Sequence, residues 1–255
     1  MKNYNDENKT MKINIVLPVL NEELRLEKGL NGLLDFLEKN KEIVYEITIV
    51  DNGSTDATGK IARRFCAEHR EVNYIRMEER GVGAAFRKAV ACNTCEVIGY
   101  TDIDLSTELS ALKITYAEFS ENLDLDMVNA SRYHKKSSLI GRKWYRNLVS
   151  YCLVGLLKFF FRMKATDAIC GFKFFRKEVI ERLLKESGDE NGWFLLIEVL
   201  LRAERSGCNI RELPVTWVFE EHSKVRVVKV AFGYLKQMVR LAKKLYWEER
   251  GKTDE

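Results

Sequence analysis

The chain has 255 residues, of which 46% are hydrophobic, so it can bury the core of one large α/β domain. Its 42 basic and 38 acidic residues give a formal net charge of +4, which excludes a general polyanion binder, and we expect no nucleic-acid partner. A polar N-terminal segment and the lack of about 18–20 consecutive apolar residues predict neither a signal peptide nor a membrane span.

Strands and helices are predicted to alternate in the first part of the chain. Short apolar, β-branched runs predict strands over 13–17, 45–50, 72–76 and 97–101. Apolar residues at helical spacing predict helices over 21–40, 55–69 and 83–92. This alternation indicates a Rossmann-like, mostly parallel sheet with right-handed crossovers and flanking helices.

The pattern becomes mixed after Ser106. Helices are predicted over 109–123 and 144–163, within 190–206, and over 227–247, and strands over 127–130, 171–175 and 210–219. The helix over 144–163 is apolar, whereas the helix over 227–247 is basic and amphipathic. The apolar face of this last helix carries Val230, Tyr234, Met238, Leu241 and Leu245. We expect both helices to lie at a membrane interface; the alternative is ordinary packing against the domain.

Polar residues and glycines follow the predicted strands where each one ends. In an open parallel sheet, ligands bind outside the carboxyl ends of the strands, so these residues are predicted to share one edge. They are Asn21 and Glu22, Asp51, Gly81 to Gly83, and Asp102 with Asp104. Four strand ends that converge on one edge indicate a ligand site more strongly than any single motif.

Asp102 and Asp104 carry the chemistry of that edge. Two carboxylates two residues apart suit a hard cation, Mg²⁺ or Mn²⁺, which takes oxygen ligands and neutralises a leaving diphosphate. Asp51 could accept a hydrogen bond from a nucleobase or ribose, or cap the following helix. The backbone at Gly81 to Gly83 could approach a phosphate, although the segment is neither GxGxxG nor a P-loop.

Two further groups of residues are candidate sites. Arg132 and Arg146, in a basic stretch that also holds Arg142, could face one anionic group; the alternative is a solvated charged loop. Cys92 and Cys95 form a CxxC without a second pair or a histidine cluster, so we expect reduced thiols in a cytosolic protein rather than a zinc site.

An ordered set of segments resembles family 2 glycosyltransferases of GT-A fold, and specifically polyprenyl-phosphate (dolichyl-phosphate) sugar synthases. The segments are VLPVLNE over 16–22, VDNGSTD over 50–56, GVGAA over 81–85, DIDLST over 102–107, ASRY over 130–133, Arg146 with Ser150, DAICGF over 167–172, PVTW over 214–217, and Ser223 with Lys224. The resemblance covers residues 12–244.

The resemblance implies a role for each matching residue. Pro18, Asn21, Glu22, Asp51 and Gly83 would line the nucleotide pocket, and Asp102 and Asp104 would hold the metal and the diphosphate. Arg132, Arg146, Ser150 and Lys224 would receive the acceptor's phosphate, with Arg132 also counted as catalytic alongside the two aspartates, and Glu198 would support the site.

The sequence departs from the family pattern at a few positions. Ser106 stands where mannose synthases of the family often have Gln, and Leu196 replaces an acid. His222 and Val82 also differ from the family pattern. The Asp-Leu-Ser-Thr run is closer to the glucosyl-transferring branch.

The implied protein is a peripheral membrane enzyme on the cytoplasmic face. We expect a flexible terminus at 1–11, a GT-A domain over 12–224, and a basic amphipathic helix and tail over 225–255. It would move glucose or mannose, with inversion, from a UDP- or GDP-sugar to a polyprenyl (dolichyl) phosphate, an acceptor that needs no strong general base. The alternatives are a family 2 transferase with a soluble, protein or oligosaccharide acceptor, or a non-catalytic nucleotide-sugar-binding protein.

Overall fold

The computed structural model describes residues 11–219 and 227–251 of the chain. The strands are β1 (Lys12–Val19), β2 (Val44–Asp51), β3 (Val72–Arg76), β4 (Val97–Thr101), β5 (Met127–Ser131), β6 (Ser138–Ile140), β7 (Phe172–Arg176), β8 (Ile210–Pro214) and β9 (Thr216–Val218). The helices are α1 (Leu26–Lys39), α2 (Thr58–Glu68), α3 (Val82–Ala91), α4 (Ser110–Glu121), α5 (Trp144–Phe161), α6 (Lys177–Glu186), α7 (Phe194–Arg205) and α8 (Val227–Gly251).

A seven-stranded sheet in the order β3-β2-β1-β4-β7-β5-β8 forms the centre of the fold. The pairs among β1 to β4 are parallel, as the alternation predicted, and β5 pairs parallel with β8. Only β7 is antiparallel to its neighbours, β4 and β5. The carboxyl ends of β1, β2 and β4 therefore lie at the same edge.

Helices cover both faces of the sheet, which explains why the central strands β1 and β4 are buried along nearly their whole length. In β1, Ile13, Ile15 and Leu17 pack with α1, α2 and α4 on one face. Val16 of the same strand packs on the other face with residues of α3, α6, α7 and α8. The resulting three-layer arrangement leaves the edge with the strand carboxyl ends open for a site.

The structure differs from the predicted elements at several points. The helix predicted from residue 21 begins at Leu26, because Asn21 has a left-handed backbone (φ 54°) and residues 22–25 form a turn. The strand predicted over 210–219 is divided at Val215, and its second part, β9, pairs with β6. Strand β6 and helix α6 are not among the predicted elements.

Helix α8 packs against the domain with the face that was predicted to meet lipid. Met238, Leu241 and Leu245 are 5%, 3% and 6% exposed within the core, and the Tyr234 ring lies 5.7 Å from the Phe194 ring. The side chain of Val230 lies outside the described residues. The prediction that this face meets lipid is therefore wrong, and for this face the packing alternative is correct. Among the described helices, none combines the length and apolar content needed to cross a bilayer.

Candidate functional site

The loops that follow β1 and β2 are joined by hydrogen bonds at the sheet edge. The Asn21 N–H donates to Ser54 Oγ over 2.9 Å, and the Thr55 N–H donates back to Asn21 Oδ1 over 2.9 Å. The Glu22 N–H donates to Thr58 Oγ1 over 2.7 Å. Pro18, near the end of β1, is half-buried beside Val50 of β2. Three predicted nucleotide-pocket residues, Pro18, Asn21 and Glu22, therefore belong to one segment that is hydrogen-bonded to the residues following β2.

Asp102 and Asp104 lie on a tight turn directly after β4. The Leu105 N–H donates to the Asp102 carbonyl over 3.1 Å, and Leu105 itself has a left-handed backbone (φ 53°). The Ser106 N–H donates to Asp104 Oδ1 over 3.0 Å. A non-glycine residue in this conformation is uncommon and costs free energy, so surrounding contacts must hold the turn in place.

The Asp102 carboxylate lies in an electrostatically unfavourable position. Burial and the nearby charge of Asp104 raise the pKa of Asp102 to about 7. The backbone of Gly171 lies directly against this carboxylate, leaving no room for a Cβ. No donor from the described residues forms a hydrogen bond with it. A divalent cation would offset the repulsion between Asp102 and Asp104, and it would give the Asp102 carboxylate a partner.

The donor set at this turn fits a metal ion shared with a diphosphate. The described part of the chain holds no cluster of three or more His, Cys, Asp or Glu side chains that could bind a metal. Asp102 and Asp104 would therefore supply two oxygens, and diphosphate oxygens and water would supply the rest. Mg²⁺ and Mn²⁺ are commonly held in this way, by one or two carboxylates and substrate phosphates.

Arg25, which the sequence analysis missed, lies beside the two aspartates. Its Nε and Nη2 donate to the Glu22 carboxylate over 2.7 and 2.6 Å, and its Nη1 lies 3.9 Å from Asp104 Oδ2. Glu22 therefore holds a guanidinium next to the predicted diphosphate position. The available signal was an arginine three residues after Glu22, at the start of a helix.

Asp51 is fully buried and already has three hydrogen-bond donors. The Ser54 N–H donates to its Oδ1 over 2.7 Å, and Tyr74 Oη and Arg76 Nη1 donate to its Oδ2 over 2.8 and 3.2 Å. It does not cap α2, since the Thr58 N–H donates to Asp56 Oδ1. Asp51 thus holds the loop after β2 in place through its buried hydrogen bonds. Its contact with a nucleotide stays a prediction.

The glycines at the start of α3 make room for protein backbone. Gly81 has φ 142°, and a Cβ on Gly83 would lie 2.6 Å from the Gly192 carbonyl oxygen. The Ala84 N–H donates to the Asn191 carbonyl over 3.0 Å. The close approach that the glycines permit is therefore filled by residues 191–192, and the nucleotide role of Gly83 stays a prediction.

Arg132 and Asp167 form a buried ion pair. Arg132 Nε and Nη2 donate to the Asp167 carboxylate over 2.7 and 3.0 Å, and the side chains are 7% and 0% exposed. Burial opposes the charge of Asp167, but Arg132 outweighs it and lowers the pKa of Asp167. Burial likewise opposes the charge of Arg132, and Asp167 outweighs it and raises the pKa of Arg132. The protein itself therefore balances the charge of Arg132.

Three arginines gather around two aromatic rings near this pair, and we refer to Arg132, Arg142 and Arg146 as the arginine cluster. The guanidinium carbons of Arg132 and Arg142 lie 5.8 and 5.5 Å from the centre of the Trp217 ring. The guanidinium carbon of Arg146 lies 5.0 Å from the centre of the Phe219 ring. Lys224, the remaining predicted phosphate ligand, lies outside the described residues.

Strand β9 connects the aspartate turn to the arginine cluster. Thr107 forms a β-bridge with Trp217, and the Val218 N–H donates to the Ser106 carbonyl over 2.8 Å. The same Trp217 ring contacts two of the arginines. The structure thus places a pair of carboxylates and a group of guanidinium ions on two sides of one short strand.

Two charged side chains outside the predicted catalytic set are also buried. Lys173 of β7 is fully buried, its Nζ donates to the Cys170 carbonyl over 2.6 Å, and burial lowers the pKa of Lys173. Glu198 is 4% exposed and accepts from Arg202 Nε and the Gly188 N–H over 2.9 and 3.0 Å. A lysine inside an apolar strand was the signal that sequence reasoning overlooked.

The cysteines form no site in the described residues. All six are free thiols, and within the CxxC, Cys92 is exposed whereas Cys95 is buried. Burial raises the pKa of Cys95 to about 12, so this thiol stays protonated.

Comparison with known proteins places the chain among sugar-transferring enzymes. Residues 14–184 match the family described as "Glycosyl transferase family 2". Glycosyltransferase AglD of Haloferax volcanii is 29% identical over 232 residues, which are 90% of this chain but 37% of that protein. The dolichyl-phosphate beta-glucosyltransferase of Homo sapiens is 29% identical, over 85% of this chain and 70% of its own length. The dolichyl-phosphate beta-glucosyltransferase of Saccharomyces cerevisiae is 26% identical, over 93% of this chain and 76% of its own length.

Solved structures share the fold. Glucosyl-3-phosphoglycerate synthase of Mycobacterium tuberculosis, with Mn²⁺, UDP-glucose and phosphoglyceric acid, superposes with a TM-score of 0.67 at 15% identity, covering 91% of this chain and 80% of that one. A mannosyltransferase of Pyrobaculum calidifontis with GDP-Man and Mn²⁺ superposes with a TM-score of 0.61 at 19% identity. This match covers 91% of this chain and 64% of that one. These neighbours have the GT-A fold, which the segments of the sequence indicated.

Proposed function

Because the chain belongs to glycosyl transferase family 2, we propose that it transfers glucose from UDP-glucose to a polyprenyl phosphate of the dolichyl type. The choice of glucose, rather than mannose, and of this acceptor follows the named activity of the human and yeast relatives. The observation that carries the proposal is the position of β9. It joins a carboxylate pair suited to a metal-bound diphosphate to a cluster of arginines suited to a second phosphate.

In the proposed reaction, a phosphate oxygen of the acceptor attacks the anomeric carbon and displaces UDP with inversion. The attacking oxygen is already anionic near neutral pH, so the protein does not need to supply a general base. The chain positions the two anions side by side and compensates the charge that develops on UDP. Mg²⁺ or Mn²⁺ held by Asp102 and Asp104 would supply Lewis-acid stabilisation of the leaving diphosphate.

The residues at the sheet edge have distinct proposed roles. Pro18, Asn21 and Gly83 would contact the nucleotide, while Asp51 would order the loop beneath it through Ser54 and Arg76. Glu22 would act through Arg25, whose guanidinium stands 3.9 Å from Asp104 and adds positive charge next to the diphosphate.

We also propose that α5 and α8 rest on the cytoplasmic surface of the membrane that holds the acceptor. The two helices pack against each other. Trp144, Phe159 and Phe160 of α5 are 75%, 79% and 62% exposed, and Phe232 of α8 is 70% exposed. Helix α5 contains no acidic residue. Exposed aromatic rings beside basic side chains are typical of surfaces that bind anionic lipid.

One assay tests the proposed reaction directly. The purified protein is incubated with membranes, Mn²⁺ and a panel of UDP- and GDP-sugars labelled in the sugar. We expect label from UDP-glucose to enter the organic phase as a phosphate-linked lipid, and heat-inactivated protein is the control. Label that enters only water-soluble products or protein would contradict the polyprenyl-phosphate acceptor, and label from a GDP-sugar would contradict the donor.

The attachment to lipid makes a separate prediction. Replacing both Phe159 and Phe160 with serine should weaken sedimentation with phosphatidylserine-containing vesicles by about tenfold or more, because each ring that enters lipid contributes roughly 1.5–3 kcal/mol. The matched control is Leu123→Ser, which changes another apolar side chain that is 82% exposed, after α4. Equal vesicle binding by the double variant and the control would refute this membrane surface.

A further inference from the structure

We infer that Arg142 is a further arginine that binds the acceptor's phosphate directly. The inference rests on the proposed function, since it concerns the acceptor subsite of that reaction. It adds Arg142 to the predicted phosphate ligands Arg132, Arg146 and Ser150. Four observations support it: the charge balance of the two arginines, the hydrogen bonds that Arg142 makes, the way it is held, and its position relative to the aspartate turn.

The two arginines differ in how their charge is balanced. Arg132 is paired with Asp167 through two side-chain hydrogen bonds, and the pair is buried. Arg142 donates instead to neutral oxygens, Tyr133 Oη over 2.7 Å and Ser150 Oγ over 2.8 Å. It forms no ion pair with any carboxylate of the described residues. A half-buried guanidinium ion whose partners are all neutral is suited to bind an anion.

The hydrogen bonds around Arg142 leave donors free for that anion. A guanidinium group has five N–H donors, and within the described residues Arg142 directs them at only two oxygens. Ser150 and Tyr133 use their oxygens as acceptors here, so their own O–H groups remain able to donate. A phosphate monoester accepts several hydrogen bonds at once, and a planar guanidinium group binds two of its oxygens together.

Contacts with the surrounding fold hold Arg142 in place. Gly141 has a left-handed backbone (φ 73°) directly after β6, which turns the chain towards α5. Strand β6 pairs with β9, so the Arg142 guanidinium lies against the Trp217 ring of that strand. The Tyr133 ring packs against the ring of Tyr151 from α5, with ring centres 4.4 Å apart and an angle of 38° between the planes. A guanidinium group held in advance loses less conformational entropy when it binds its ligand.

The same strand brings Arg142 close to the donor side of the site. Trp217, which Arg142 contacts, forms a β-bridge with Thr107, in the segment that follows Asp104. A phosphate on Arg142 and Ser150 would therefore lie next to the predicted diphosphate position. Ser150, on the second turn of α5, was already predicted as a phosphate ligand, and Arg142 completes that subsite from the preceding loop.

Calorimetric titration with farnesyl phosphate, a short soluble polyprenyl phosphate, tests the inference. We expect Arg142→Gln to weaken farnesyl phosphate binding by about tenfold or more, the effect of losing a charge-assisted double hydrogen bond, while UDP binding with Mn²⁺ is unchanged. Arg142→Lys keeps the positive charge but lacks the planar guanidinium group with its paired N–H donors, so its affinity for farnesyl phosphate should fall between those of wild type and Arg142→Gln. The control, Lys143→Gln, removes the same charge at the next, exposed position and should bind like wild type.

The outcomes separate this inference from the proposed function. If wild type and Arg142→Gln bind farnesyl phosphate equally, the inference is overturned, while lipid-linked glucose formed by wild type would keep the function intact. Loss of both farnesyl phosphate and UDP binding in Arg142→Gln would also overturn it, since Arg142 would then maintain the fold. A wild-type protein that binds UDP but not farnesyl phosphate would overturn the polyprenyl-phosphate acceptor and the inference together.

Discussion

Replacing Asp104 with asparagine is expected to lower the turnover of UDP-glucose by about a hundredfold to a thousandfold, the usual cost of losing one preorganised electrostatic group. Asparagine has a similar shape and can still accept the Ser106 N–H that Asp104 Oδ1 binds at 3.0 Å. The turn should therefore remain while one of two anionic metal ligands is lost. Initial rates of lipid-linked glucose formation with Mn²⁺ measure the effect.

The control for this variant is Glu108→Gln, which removes a charge from an exposed acid just after the turn. We expect wild-type turnover in the control and an unchanged melting temperature in both proteins. Asp102→Asn should also fold normally, because burial and Asp104 raise the pKa of Asp102 to about 7 and the folded protein therefore already disfavours its charge. Wild-type turnover in Asp104→Asn would remove the basis of the metal assignment.

The largest expected effect on stability comes from the buried pair of Arg132 and Asp167. Replacing Asp167 with alanine should lower the free energy of unfolding by about 3–5 kcal/mol, since it leaves a buried guanidinium ion without its counter-ion. The Asp167 carboxylate also accepts the backbone N–H groups of Arg132 and Ile169, at 3.1 and 2.9 Å. Urea denaturation followed by circular dichroism measures the difference.

A solvent-exposed ion pair supplies the comparison. Asp189 and Arg240 form an ion pair of 2.8 Å, and their side chains are 80% and 63% exposed. Asp189→Ala should therefore lower the free energy of unfolding by less than about 1 kcal/mol. The pKa of Asp167 is lowered in the folded protein, so its pair contributes stability above the usual carboxyl pKa of about 4 and loses it as the pH falls through the lowered pKa. Equal losses in the two variants would show that burial does not strengthen the Arg132 pair.

Much of the fold could be predicted because burial leaves a local pattern. A strand covered on both faces must be continuously apolar, so the limits of β1 and β4 are visible as the ends of apolar runs. The polar residues that follow such strands in a parallel sheet share one edge, which located Asp102 and Asp104. Strand β7 did not fit this rule, because its direction depends on the path of the chain through α5.

Several site contacts could not be predicted because they join distant parts of the chain. Nothing near Arg132 in the sequence indicates that Asp167, 35 residues later, balances its charge. Nothing near Gly83 indicates that the backbone of Gly192 fills the space left by its missing side chain. The amphipathic pattern of α8 was recognised, but a pattern of this kind does not tell whether its apolar face meets lipid or protein.

The amino-acid sequence was sufficient to predict the alternating strands and helices from β1 to β4, the sheet edge that their carboxyl ends share, and an aspartate pair suited to a metal. Periodicity and the positions of strand ends are local properties, and they are sufficient for these conclusions. The folded structure was needed to show that Arg142 has only neutral hydrogen-bond partners among the described residues and that the apolar face of α8 is buried. Charge compensation and packing depend on which distant segments meet in the folded chain, because electrostatic and van der Waals contacts act through space and not along the sequence.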